Sequence, residues 1–196
     1  MVLLYVGMTA LETFILLLLG QPLDMALKLA ATTISTSGYL HHRTYLMECN
    51  NSVLEVALVL FMVIGSCNFI LYYRFLQKRF DVFKRDTERN WYLGLLFAMT
   101  LLVAWDLWNS SIYSFGQSLR HSLFQVTAIM STAGLATQDF SEWPAFSRIL
   151  LFYGAIIGGC SASTAGGVKV SRLVVLLKVC GQEILRTLHT RMVSAI

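Results

Sequence analysis

Long stretches without charged side chains divide the chain into apolar segments of the length that crosses a bilayer. No Asp, Glu, Lys, Arg or His occurs in residues 56–73, 91–105 or 149–168. The first 19 residues form a fourth apolar stretch, which Glu12 interrupts. Because about 20 consecutive apolar residues span the hydrocarbon core of a membrane, the pattern predicts an all-α membrane protein with four spans.

A shorter helical segment follows the first and the third of these spans. Residues 21–34 (QPLDMALKLAATTI) and residues 117–130 (QSLRHSLFQVTAIM) are 14 residues long each and helix-like in composition. Segments of this length are too short to cross a bilayer, so we predict two re-entrant or interfacial helices.

A short polar motif follows each short helix. The first motif, STSG at residues 35–38, and the second motif, STAG at residues 131–134, are 96 positions apart. A second match, VIGSCNF at residues 63–69 against IIGGCSA at residues 156–162, has an offset of 93. Two matches at nearly one offset indicate an internal duplication. Each repeat is predicted to contain a span, a re-entrant helix, a motif and a second span.

Positive charge is concentrated at two places. Of the 15 Lys and Arg residues, six lie in residues 74–89 and five lie from Lys169 onward. Because Lys and Arg are in excess in cytoplasmic segments, both chain ends and the basic segment are expected inside the cell, in a multi-pass protein of the cell (inner) membrane. The predicted domains are a repeat at 1–73, a basic cytoplasmic segment at 74–90, and a repeat with a cytoplasmic tail at 91–196.

Several function classes are excluded by the sequence. Three acidic residues interrupt the basic run and membrane spans flank it, so nucleic-acid binding is not expected. The four Cys residues form no C-x-x-C pair and no His lies at zinc-ligand spacing, so we expect no metal or redox centre and no cofactor. A Walker loop requires Lys directly after its last Gly, whereas Val168 separates Gly167 from Lys169. No His falls within a span, which argues against an intramembrane protease, and we predict that the protein is not an enzyme.

The Thr-x-Gly sequence in each motif suits the binding of a hard cation. Thr supplies a hydroxyl and a carbonyl oxygen, Gly permits unusual backbone angles, and the C-terminal end of the short helix is partially negative. Potassium filters replace the hydration shell of the ion with such oxygens. The alternative is that small residues at a helix end only permit close helix packing. Two copies on the outer side favour a filter, with K⁺ as the only bound metal.

The Gly-rich segment, residues 158–167, consists of ten consecutive small residues. Such a sequence is a poor helix interior, since each Gly destabilises a helix by about 1 kcal/mol relative to Ala. We therefore predict that the last span is broken inside the membrane, as is typical of ion and substrate pathways. This segment is a candidate gate beneath the filter. Lys169 and Arg172 lie at its cytoplasmic end, where membrane anchoring is favoured over repulsion of ions.

Three stretches of the chain resemble the potassium-transporting membrane subunit of the Trk/Ktr family, most closely the Trk type. MSTAGLATQDFSEWP (residues 130–144) and IIGGCSASTAGGVKVSRLVVLLK (residues 156–178) are similar to the third pore repeat of that family and its intramembrane gating loop. IGSCNFILYYRFL (residues 64–76) is similar to the last helix of the second repeat. The resemblance extends over essentially the whole chain.

The resemblance implies potassium uptake, by a symporter or a channel, through a pore of four repeats, of which this chain holds the second and third. It implies a filter lined by Thr36, Ser37, Gly38, Thr132, Ala133 and Gly134. It implies a gate formed by Gly158, Gly159, Ser161, Ser163, Thr164, Gly166 and Gly167. The implied partners are the remaining pore repeats, a second copy of the protein in a homodimer, a cytoplasmic nucleotide-binding regulatory subunit and membrane lipid.

The chain departs from the family pattern because the first and fourth repeats are absent, together with the basic residue that the last pore helix places below the filter. We therefore expect a fragment of a longer transporter. Two alternatives stay open: two copies of this chain form a cation channel, or the chain is a non-conducting membrane scaffold or remnant. One Gly in each motif, instead of the T-V-G-Y-G of potassium channels, predicts weaker selectivity.

Two acidic residues within or near the predicted spans are functional candidates by default. Glu55, close to the outer start of its helix, is expected to be solvated. Glu12 either takes part in transport or pairs with a group in a missing repeat. Lys28, on the first short helix, is expected to meet a carboxylate or to extend toward the interface.

Overall fold

The structure, a computed structural model, describes residues 2–38, 45–49, 51–78 and 86–188, and these contain helices and no strand. The helices are α1 (Val2–Leu18), α2 (Leu23–Ser35), α3 (Tyr45–Cys49), α4 (Ser52–Ser66), α5 (Phe69–Leu76), α6 (Thr87–Asn109), α7 (Phe115–Met130), α8 (Ala145–Ile157) and α9 (Val170–Leu188), with a 3₁₀ turn at Phe140–Glu142. The predicted all-α fold class is confirmed. The domain boundaries at 73/74 and 90/91 stay a prediction, and residues 79–85 lie outside the described part.

Local sequence explains where several helices begin. Pro22 precedes α2 and cannot donate a backbone hydrogen bond, so it suits a helix start. The Asn51 side chain accepts hydrogen bonds from the N–H groups of Val53 and Leu54 at the start of α4. Ser114 forms a capping box with Gln117 at the start of α7. These caps fix the first turns of the helices that lead to the motifs or pack beside them.

The two repeats make the same set of helix contacts. In the first repeat α1 packs against α2 and α2 packs against α4, with a smaller contact between α1 and α4. In the second repeat α6 packs against α7, α7 against α8, and α6 against α8. The repeats meet where α4 packs against α7, so the last span of one repeat supports the short helix of the other.

The second span is broken, which the sequence analysis did not predict. Helices α4 and α5 meet at 92° across the break at Cys67 and Asn68. A continuous helix would pair the N–H of Ile70 with the carbonyl of Ser66. Instead the Asn68 side chain accepts from Ile70 at 2.9 Å, and the Ser66 carbonyl accepts from the N–H of Cys160 at 2.9 Å.

The helix lengths can be compared with the four predicted spans, the last of which was predicted to be broken. Within the described residues, α6 is long and apolar enough to cross a membrane, and α4 with α5 also qualifies if the bent pair is one span. Helices α1 and α8 are shorter apolar helices of 17 and 13 residues. The last predicted span is divided, because α8 ends at Ile157 and α9 begins at Val170.

A buried ion pair joins the two repeats where α4 contacts α7. Arg120 donates from Nε to Glu55 Oε2 at 2.7 Å and from Nη2 to Glu55 Oε1 at 2.8 Å. Glu55 is only 4% exposed, so the expectation that it is solvated was wrong. The Arg120 guanidinium replaces water as the hydrogen-bond donor to Glu55 and balances the negative charge of its carboxylate. Lys28, by contrast, meets a carboxylate as expected, since its Nζ lies 2.9 Å from Asp24 Oδ2.

The ion pair generates a stability prediction. Glu55→Ala removes the carboxylate that Arg120 binds at a partly buried contact, and we expect the free energy of unfolding in detergent micelles to fall by about 1.5–3 kcal/mol. Asp24→Ala is the control, because it breaks an exposed pair of the same kind and should lower this free energy by less than about 1 kcal/mol. Equal losses in the two variants would contradict the assignment.

Candidate functional site

The two motifs adopt matching backbone conformations. Thr36 and Thr132 have φ values of 50° and 59°, and Gly38 and Gly134 have φ values of 69° and 64°. These values lie in the left-handed region, which is unusual for a β-branched residue such as Thr. Equivalent positions of both motifs therefore share one rare geometry, as the duplication predicts.

The motifs meet each other at their glycines. A Cβ atom added to Gly134 would lie 3.1 Å from the Cα of Gly38, and one added to Gly38 would lie 3.9 Å from the carbonyl oxygen of Thr132. Both glycines are exposed, whereas Thr36 and Ala133 are buried. Two backbones thus approach closely at an accessible surface that side chains would obstruct.

Each short helix ends at its motif. In α2 the N–H groups of Thr36 and Ser37 both donate to the carbonyl of Thr32. In α7 the N–H of Gly134 donates to the carbonyl of Ala128 at 3.2 Å. The C-terminal, partially negative ends of the two helices are therefore directed to the place where the motifs meet, which favours a cation there.

The Gly-rich segment contacts both repeats next to the motifs. The N–H of Gly166 donates to Thr132 Oγ1 at 2.8 Å. Thr164 Oγ1 lies 2.8 Å from the carbonyl of Ile34, at the end of α2, and 3.1 Å from the carbonyl of Gly65 in α4. One segment is thus hydrogen-bonded to the second motif and to the helix that carries the first.

The two ends of the Gly-rich segment pack against each other. A Cβ atom on Gly167 would lie 2.7 Å from the Cα of Gly158. The N–H of Val168 donates to the carbonyl of Ile156 at 2.9 Å, and the N–H of Val170 donates to the carbonyl of Gly159 at 3.1 Å. Residues 158–167 therefore form a closed loop between α8 and α9, and the two ends of the loop lie side by side.

A carboxylate that the sequence analysis did not single out bonds to this loop and to the first turn of α9. Glu88 Oε1 accepts from the N–H of Ser161 at 2.5 Å and from the N–H of Ser171 at 3.2 Å. The Oγ atoms of Ser161 and Ser171 are themselves 2.5 Å apart. Glu88 lies in a run of charged residues that indicated only topology, so its position in the sequence gave no sign of this contact.

The remaining predicted site residues occupy different environments. Ser163 Oγ donates to the carbonyl of Cys160 at 2.5 Å, inside the loop. Lys169 Nζ donates to the carbonyl of Ala165, whereas Arg172 is exposed on α9. Lys169 is therefore bound to the loop itself, and Arg172 is free to face lipid or water.

The site is composed of backbone carbonyls and hydroxyl groups. No group of three or more His, Cys, Asp or Glu residues that could hold a metal ion occurs in the described ranges. Hard oxygen ligands of this kind suit weakly held hard cations rather than transition metals.

Comparisons with known proteins find one matching family and several relatives. The family model TrkH, described as "Cation transport protein", matches residues 1–196. The chain is 32% identical over 166 residues to the Trk system potassium uptake protein TrkH of Halomonas elongata, covering 84% of this chain and 34% of that protein. It is 30% identical over 196 residues to the protein of the same name in Escherichia coli K12, covering 99% of this chain and 41% of that protein.

A solved structure is similar over almost the whole chain. The crystal structure of the potassium transporter TrkH from Vibrio parahaemolyticus superimposes with a TM-score of 0.92 at 27% identity, covering 97% of this chain and 42% of that chain. The chain thus spans about two fifths of the length of this protein and of the E. coli relative.

The close approach of the motifs predicts a penalty for any side chain at Gly134. Gly134→Ala places a methyl group against the Gly38 backbone at a positive φ, and we expect the unfolding free energy to fall by about 1–3 kcal/mol. Gly94→Ala, in the middle of α6 with no neighbour within 4 Å, should instead raise it by up to about 1 kcal/mol. Thermal and denaturant unfolding of both variants in micelles measure these changes. A neutral Gly134→Ala would disprove the close contact.

The Glu88 contacts predict protection of two backbone amides. In Glu88→Ala we expect the Ser161 and Ser171 amides to exchange with deuterium about 10- to 100-fold faster, because a hydrogen bond to a charged group contributes about 1.5–3 kcal/mol. Asp106→Ala is the matched control, since Asp106 Oδ2 accepts from the N–H of Ser147 at 3.1 Å at the other end of α6. It should accelerate exchange at Ser147 alone. Unchanged exchange at Ser161 in Glu88→Ala would contradict the contact.

Proposed function

The chain belongs to the TrkH family of cation transport proteins, and we propose on this premise that it supplies two repeats of a four-repeat pore for potassium uptake across the cell membrane. The observation that carries the proposal is the meeting of two left-handed Thr-x-Gly motifs at the negative ends of two short helices. Relatives named potassium uptake proteins support potassium as the ion.

In this proposal the two motifs form half of the selectivity filter. Carbonyl and hydroxyl oxygens of residues 36–38 and 132–134 replace water around a dehydrated ion, and α2 and α7 act as pore helices. The left-handed φ values support this role, because they turn successive carbonyl groups in directions that regular helices and strands do not allow. The other two repeats complete the ring of oxygens.

The Gly-rich segment acts as the gate. It lies directly against the second motif through the Gly166–Thr132 hydrogen bond, and its bonds to Ile34, Gly65 and Glu88 hold it in place. We assign the described conformation to the closed gate, because the loop is bonded to both repeats at once. Each of these bonds contributes about 0.5–3 kcal/mol, so opening requires several to break together.

The proposed assembly has four kinds of partner. The missing repeats and membrane lipid cover apolar side chains that the described residues expose, such as Val53, Val56 and Leu60 on α4. A second copy of the protein completes a homodimer, and a cytoplasmic nucleotide-binding subunit contacts the inner segments, including 74–90. The protein lies in the inner membrane, with this basic segment inside the cell according to the charge bias.

The experiment measures rubidium uptake by this chain in two forms. The first is the chain alone in proteoliposomes, and the second is a chimaera in which it replaces the matched segment of the E. coli relative, expressed in cells that lack potassium uptake systems. We expect uptake by the chimaera only. Gly134→Asp should lower that uptake at least about tenfold, since a carboxylate between the motifs would block the ion path or hold the ion, whereas Gly94→Ala should not.

The other outcomes distinguish the alternatives. Uptake by the chain alone that Gly134→Asp abolishes would mean that two copies form a dimeric cation channel. If both forms are inserted and folded but neither takes up rubidium, the proposal is refuted and a non-conducting scaffold is favoured. A bi-ionic potential measured on the chimaera tests the selectivity, which we expect to be weaker than that of a dedicated potassium channel.

A further inference from the structure

A carboxyl group lies completely buried behind the first motif. Glu12, in the middle of α1, is 0% exposed. Its Oε1 atom lies 2.5 Å from Thr33 Oγ1 on α2, and its Oε2 atom is buried without a hydrogen-bond partner among the described residues. Thr33 precedes Thr36, the first threonine of the motif, by three positions, which is about one helical turn.

We propose that Glu12 is a positioning residue for the first motif: it fixes the end of α2 through Thr33 and thereby contributes to ion selectivity. The inference rests on the proposed function, because it assigns selectivity to the motif. It goes beyond the two expectations for Glu12, since the contact to Thr33 is made within the first repeat.

The hydrogen bonds around Thr33 show why a carboxyl group is suited to this place. Thr33 Oγ1 is within bonding distance of Glu12 and also of the carbonyls of Leu29, at 2.9 Å, and Ala30, at 3.1 Å. One hydroxyl carries one proton and cannot donate to all three acceptors. An uncharged Glu12 would donate its own proton to Thr33 Oγ1 and leave the Thr33 proton for a carbonyl. Such a chain of bonds locks the Thr33 rotamer and ties α1 to the last turn of α2.

The other contacts that hold the end of α2 involve no carboxyl group. A Cβ atom on Gly65 would lie 3.2 Å from the carbonyl of Thr33, so α4 packs closely against it. Thr164, in the Gly-rich segment, bonds to the carbonyl of Ile34. If that segment moves when the gate opens, the Thr164 bond is lost, whereas the bond to Glu12 persists. Glu12 therefore keeps the first motif in place while the gate moves.

The second repeat has no equivalent of this contact. The position 96 residues after Thr33 is Ile129, which has no hydroxyl group, and α6 contains no acidic residue between Glu88 and Asp106. Within this chain, the Glu12–Thr33 contact supports the first motif and not the second. Its loss should therefore distort one side of the filter without removing the pore.

The test is the ratio of rubidium to sodium permeability of the chimaera. We expect Glu12→Ala and Thr33→Val to lower this ratio about fivefold or more, because each removes a buried hydrogen bond behind the motif. Glu12→Gln, which keeps the shape and can donate to Thr33 Oγ1 from its amide N–H, should restore most of it. Thr13→Val is the control, since Thr13 neighbours Glu12 but donates only along its own helix, to the carbonyl of Thr9 at 2.8 Å.

The readouts separate this inference from the proposed function and from misfolding. If the unsubstituted chimaera takes up no rubidium, the proposed function fails. If it conducts and both Glu12→Ala and Thr33→Val keep its permeability ratio, the positioning role is wrong. A fall in the uptake of all ions at an unchanged ratio would indicate a structural role only and would also overturn the inference. Non-additive effects on the ratio in the Glu12→Ala, Thr33→Val double variant would support it.

Discussion

The structure depends on one constraint, which is that irregular backbone inside a membrane must have its polar groups bonded within the protein. Two helical spans are broken within the described ranges, and each break supplies hydrogen-bond partners that the other lacks. The Ser66 carbonyl accepts from the N–H of Cys160, and the N–H of Phe69 donates to the carbonyl of Ala162. The Gly65 carbonyl accepts from Thr164. Neither break would be stable in lipid alone, so the two repeats must fold against each other.

The duplication therefore produces two copies that are similar in helix order but not interchangeable. The shared part is the short helix, the motif and the left-handed backbone at Thr and Gly. The difference lies in the last span of each repeat. The last span of the first repeat bends by 92° across a break of two residues. The last span of the second repeat is interrupted by a loop of ten small residues. Small side chains are needed there because backbones approach closely, as at Gly158 and Gly167. The last spans of the two copies therefore differ most, although the short helices and motifs match.

The sequence predicted the features that depend on local pattern. The all-α fold follows from apolar lengths, and the break after Ile157 follows from the poor helix propensity of the Gly-rich segment. The break at Cys67 was missed because VIGSCNF reads as ordinary apolar helix, and only the competing bonds of Asn68 and Cys160 end it. Arg120 could have been found as an ionisable residue in a short membrane helix, but its partner lies 65 positions away. Glu88 could not have been found from the sequence, because nothing in a run of charged residues shows which carboxylate contacts the rest of the protein.

Three buried or partly buried carboxyl groups join different parts of the structure. Glu55 joins the repeats through Arg120, and Glu12 joins α1 to the end of α2, so both contacts lie between helices that pack along their length. Glu88 instead holds a segment without regular structure, through the amide of Ser161 inside it and the amide of Ser171 in the first turn of α9. Breaking either of the first two contacts separates packed helices, whereas breaking the third leaves the Gly-rich segment bonded to Thr132, Ile34 and Gly65. Release of the segment therefore requires several hydrogen bonds to both repeats to break together, each of which contributes about 0.5–3 kcal/mol.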